Sequence, residues 1–111
     1  MAAVANLRID QGASFSSDVT VTNSDGGVVD LTGYTTEAKM AKSYGATETT
    51  TITSALASDP TTGVVELTLT DTQTGALDAP ARYVYDVYIT QTSTSTVTRV
   101  IEGVITVNPK V

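Results

Sequence analysis

Three carboxylates, Glu66, Asp86 and Glu102, fall within runs of alternating apolar and polar residues. Two carboxyls facing each other across roughly 5 to 9.5 Å can cleave a glycosidic bond by acid–base chemistry, so any two of these that meet would be candidates for it. A carboxylate at an outward strand position is ordinarily a solvated charge, and that is the expectation for all three. The sequence contains no His and no Cys. An imidazole-dependent serine triad therefore has no base, and a thiolate or imidazole zinc site has no ligands. Calcium would need several oxygens converging from one loop, and Asn23, Asp25 and Asp30 are too few and too widely spaced. Gly26-Gly27 lacks the following Lys and helix that make a phosphate-binding loop. No catalytic, cofactor-binding or metal-binding residue is expected.

Tyr83, Tyr85 and Tyr88 lie within one run and could form a stacking platform for a sugar. Tyr83 and Tyr85, however, share the period-two face of Val87 and Ile89, which makes them core residues. Tyr83 also follows Asp78 by five residues at a strand start, the spacing of the tyrosine corner of immunoglobulin-like folds. Tyr88, on the opposite face beside Arg82 and Asp86, stays open as a binding residue.

The elements that must position these groups are strands. The chain has 111 residues, a length for one domain. Its 22 Thr, 14 Val and 5 Ile far outnumber its 6 Leu, 4 Glu and 3 Lys, a balance that favours β structure over helix. Leu, Ile, Val and Phe make up 26 of the 111 residues, above the roughly 20% below which a charged chain stays disordered. The net charge is −6, and Arg8, Lys39, Lys42, Arg82, Arg99 and Lys110 are scattered, so nucleic acid is not an expected partner. Met1 to Ala5 is too short for a secretory signal, and no apolar run reaches membrane-span length. Neither export nor a membrane is expected.

Alternation places a first strand at 7–11 and a second at 15–22, joined through Asn23-Ser24-Asp25-Gly26-Gly27 to a short return strand at 28–31. Residues 34–41 put Tyr34, Thr36, Ala38 and Met40 on one face, a strand in preference to a helix over 36–42. The Thr-rich run 47–56 reads as an edge strand. Val65, Leu67 and Leu69 mark the clearest strand, after which Asp71 or Thr70 caps a helical turn near residues 71–77. Residues 82–91 read as a central strand, and 97–107 as a last one with a bulge or close backbone approach at Gly103. Seven to eight short strands with one helical turn predict an all-β, immunoglobulin-like antiparallel β-sandwich, with a small barrel as the competing architecture. The expected core includes Phe15, Val19, Val21, Leu67, Leu69, Tyr83, Tyr85, Val87 and Ile101. Residues 1–6 read as an N-terminal arm without a sheet partner, and 7–111 as the single domain.

Five segments in order carry a likeness: Arg8-Ile9-Asp10-Gln11-Gly12 with Phe15; Val29-Asp30-Leu31-Thr32-Gly33-Tyr34; the strand from Gly63 to Thr70; Ala79-Pro80-Ala81-Arg82-Tyr83-Val84-Tyr85-Asp86-Val87; and Arg99 to Pro109 with Glu102-Gly103. Together, over about residues 7 to 109, they resemble small immunoglobulin-like virion proteins of tailed bacteriophages, of the kind found at the N-terminus of phage baseplate upper proteins. The resemblance implies a non-enzymatic virion component of the tail or baseplate that works by contact with other virion proteins in a symmetric multi-copy assembly. It transfers no catalytic residue, ligand or cofactor. A capsid decoration protein and a module that binds host surface polysaccharide are the alternative roles.

Overall fold

Period-two alternation becomes eight strands in a computed structural model that describes residues 3–23 and 26–110. Met1 and Ala2 of the expected arm, Ser24 and Asp25 of the expected turn and calcium reading, and Val111 lie outside the described residues. The strands are β1 (Ala3–Val4), β2 (Leu7–Asp10), β3 (Phe15–Thr20), β4 (Tyr34–Ala41), β5 (Thr50–Leu56), β6 (Val64–Leu69), β7 (Ala81–Gln91) and β8 (Thr96–Asn108). One helical turn, α1 (Asp71–Gly75), and a 3-10 turn at Pro60–Thr62 are the other elements. Hydrogen-bonded order runs β1-β8-β7-β4-β5-β6-β3, with β2 also on β8. Pairing divides at β5 into a layer of β4, β7 and β8 and a layer of β3, β6 and the end of β5, and buried residues of both form one core, as in a β-sandwich.

All nine expected core residues are buried, Leu67 and Val87 completely. Ile9, Leu31, Met40, Ile52, Ile105 and Val107 complete the interlayer packing at 1% exposure or less. Tyr83 makes the expected corner: its hydroxyl oxygen accepts the backbone N–H of Asp78 at 3.0 Å. Tyr83→Phe should cost about 1–2 kcal/mol, because it strands that N–H beside a buried ring, and denaturant unfolding will measure it. Thr70 is the helix cap. Its hydroxyl accepts from Gln73 N at 3.2 Å while the Gln73 side chain accepts from Thr70 N at 2.8 Å, a complete capping box. The buried Thr74 hydroxyl then bonds Gly12 N and Ala13 O, fixing α1 beneath the turn between β2 and β3.

Four expectations need correction. The sandwich is mixed, since β1 and β2 run parallel to β8, with almost the whole chain as their crossover. Residues 28–31 form no strand: Val28 makes a single bridge to Thr22, and the segment crosses between layers with Leu31 plugging the core. The Thr-rich β5 is not an edge, because Thr50, Thr51 and Ile52 pair with β4 while Thr53 to Leu56 pair with β6. It turns the corner from one layer to the other.

The fourth correction concerns the arm. Residues 3–6 have a partner: Ala3 pairs with Ile101 and Val4 with Glu102, and β2 resumes in the same register from Leu7 opposite Ile105. Between them the chain kinks at Ala5, whose N–H still reaches Glu102 O at 3.0 Å, while Asn6 Oδ1 accepts Val104 N–H in place of a backbone carbonyl. Gly103 permits the kink. A Cβ there would lie 2.1 Å from Ala5 O. The close approach expected at Gly103 is therefore present, whereas the β-bulge falls at Val100, between the pairs Val87–Ile101 and Tyr88–Arg99.

Candidate binding surface

Register places β4, β7 and β8 side by side and sends Glu37, Lys39, Ala41, Val84, Asp86, Tyr88, Arg99 and Glu102 to the outer face of their layer. Cross-strand pairs there are Glu37–Tyr88–Arg99, Lys39–Asp86–Glu102 and Ala41–Val84. Two of the three singled-out carboxylates, Asp86 and Glu102, thus stand directly opposite. Arg99 serves both: Nη1 is 4.0 Å from Asp86 and 3.5 Å from Glu102. Burial pushes the Asp86 carboxyl above its ordinary range, Arg99 pulls it back, and Glu102 and Glu37 add to the rise. A guanidinium holding both carboxylates makes this an ion cluster rather than an open acid–base pair. Glu66 lies in the other layer, exposed, opposite Asp18 and Ala55.

Of the oxygens considered for calcium, those of Asn23 and Asp30 are engaged locally. Asn23 Oδ1 accepts Gly27 N–H at 3.1 Å, and Asp30 Oδ1 accepts from the Thr32 N–H and hydroxyl at 2.9 and 2.6 Å. These are turn contacts, and the Thr32 bonds lower the Asp30 pKa. Among the described residues, no three acidic side chains are grouped so as to hold a metal ion.

Tyr85 is buried, and burial pushes its hydroxyl up to about 12. That hydroxyl donates to Ala5 O at 2.6 Å across Gly103, so the ring serves the N-terminal strand rather than solvent. Tyr88 is half-buried on the outer face and lines a groove of about 300 Å³ together with Tyr44. Tyr44 is not among the residues singled out from the sequence, since the Ser43-Tyr44-Gly45 segment carries no alternation. The available signal was an aromatic side chain immediately before a glycine in a polar turn. In the structure Ala46 N–H bonds Ser43 O at 3.2 Å and Gly45 takes φ +82°, the pattern of a type II turn. This turn holds Tyr44 out over the sheet at 56% exposure.

A second exposed feature lies along β8. From Ile101 to Asn108 its outer edge is covered by β1 and β2, but no described residue pairs with that edge from Thr96 to Val100. Thr96 to Arg99 are all exposed, Val97 at 59%, and Val4, 70% exposed, lies on the same outer face opposite Glu102. The bulge at Val100 accounts for Val97, since one extra residue moves it off the face that carries Ile101. No helix among the described residues is long and apolar enough to cross a membrane. No protein-family model matches the chain, and no curated protein matches it in sequence.

Proposed function

We propose that this protein is a non-enzymatic structural module of a tailed-phage particle, a tail or baseplate component that acts through protein–protein contacts as one copy of a symmetric assembly. The observation that carries the proposal is the open β8 edge. Among the described residues, none pairs with the outer edge of Thr96 to Val100, which carries exposed Val97, and exposed Val4 lies farther along the same face opposite Glu102. An unprotected strand edge flanked by apolar side chains is a template for strand addition by a neighbouring chain, and isolated soluble domains usually blunt such edges with Lys, Pro or a covering loop. Strand addition supplies main-chain hydrogen bonds for affinity, and the valines supply apolar area. The sequence resemblance to immunoglobulin-like virion proteins points to the same kind of work. A capsid decoration role would use the same edge.

The test is Val97→Lys, which places a charge on the edge without touching the core. Incorporation of the variant into particles should fall sharply, read by mass spectrometry of purified virions, while the free protein's stability changes by no more than about 0.5 kcal/mol. Absence of the wild-type protein from particles would overturn the virion role. Undiminished incorporation of the variant would remove the β8 edge as the contact.

A further inference from the structure

We propose that the groove beneath Tyr44 binds a neutral hexose unit of a glycan. The inference goes beyond the assembly role and does not rest on it. Ala41 and Val84 give the groove apolar lining, and Tyr44, held by the Ser43–Ala46 turn, gives it an exposed aromatic ring. Its polar side is made by Glu37, Lys39, Asp86 and Tyr88. A sugar ring has an apolar C–H face and a rim of hydroxyls, and it is recognised by an aromatic plane set beside carboxylates that accept from neighbouring hydroxyls. The groove sets those two surfaces together. Its volume of about 300 Å³ suits a small ligand rather than a peptide.

Hydrogen-bonding capacity in the groove is unspent. Among the described residues, neither the Tyr44 nor the Tyr88 hydroxyl has a protein hydrogen-bond partner. Among the described residues the groove's charges are held by long ion pairs, Lys39 with Glu37 at 3.3 Å and Asp86 with Arg99 at 4.0 Å, and Asp86 is also drawn to Lys39. Each can therefore turn to a ligand at small cost. Charge selects the class of sugar. Two carboxylates face one ammonium in the groove, and the whole chain carries −6, so an acidic sugar is repelled. With few contacts and an open mouth, affinity for one ring should lie in the millimolar range, and multiple copies on one particle would raise it by avidity.

The experiment is an amide-resolved NMR titration of the full chain with the methyl glycosides of glucose, galactose and N-acetylglucosamine, and with methyl glucuronide as the acidic control. At least one neutral glycoside should give saturable shifts confined to residues 37–46 and 84–88. Tyr44→Ala should weaken that binding roughly tenfold with an unchanged melting temperature, and Tyr44→Phe should keep most of it. No saturable shift with any neutral glycoside, equal or tighter binding of the glucuronide, or binding undiminished in Tyr44→Ala would each overturn the proposal. So would shifts of the same residues on raising protein concentration alone, which would assign the face to a second copy of the chain.

Discussion

Truncating Leu67 to alanine is expected to lower the unfolding free energy by about 2–5 kcal/mol. Leu67 is fully buried on β6, and its cross-strand neighbours are Ser17 on β3 and Ser54 on β5. Both are too short to fill the space that the leucine would vacate. Ser54 is further held by its 2.9 Å hydrogen bond to the Thr36 hydroxyl on β4, which ties the corner strand to the opposite layer. A void at this position loses both the transfer energy of the side chain and its interlayer contacts, so the cost should fall in the upper part of the range. For a domain whose total stability is of the order of 5–15 kcal/mol, that is a large fraction. The measurement is a denaturant midpoint at unchanged slope, with exposed Val97→Ala as a control expected to move by no more than about 0.5 kcal/mol. A change near zero at Leu67 would mean that the faces of β6 are inverted.

Leu67 also illustrates what the sequence makes legible. Where strict alternation runs for six or more residues, as in β6 and β7, face assignment follows from geometry alone, and every core residue expected there is buried. The tyrosine corner was readable for a similar reason, since Asp78 and Tyr83 are only five residues apart. Pairing is a different kind of information. The Thr and Ser of β5 describe a polar, extended segment, but nothing local says that its first half pairs with β4 and its second with β6. Ala3 and Val4 give no strand signal because their partners lie 98 residues away. The bulge left a faint trace, since adjacent Val100 and Ile101 are both buried where strict alternation would bury only one. The groove was least legible: Tyr44 and Asp86 are far apart in sequence, and a turn and a three-strand register bring them together.

The second large effect is expected at Gly103. In Gly103→Ala the new Cβ would meet Ala5 O at 2.1 Å, Ala5 C at 2.8 Å and the Tyr85 ring at 3.1 Å. Two of these three atoms are backbone, and the ring is held by its own bond to Ala5 O, so relief requires the kink between β1 and β2 to lift away. Forcing a methyl into a filled site costs about 1–3 kcal/mol. Separating the Tyr85 hydroxyl from its acceptor adds about 1–3 kcal/mol where water cannot replace it. A total of roughly 2–6 kcal/mol is therefore expected. Amide exchange should quicken at Ala5 and Val104, whose N–H groups bond Glu102 O and Asn6 Oδ1, while β6 keeps its relative protection. Tyr85→Phe removes only the hydroxyl and should cost less, and the double variant should cost less than the sum, because both changes break the same seat. Deleting residues 2–6 should likewise lower the melting temperature of the free protein, because Ala3 and Val4 pair with β8 and Ala5 O accepts from the Tyr85 hydroxyl. If Gly103→Ala instead leaves both stability and Ala5 exchange unchanged, residues 3–6 are not seated on β8 in solution, and the N-terminal segment is free to act as a tether to a neighbouring chain.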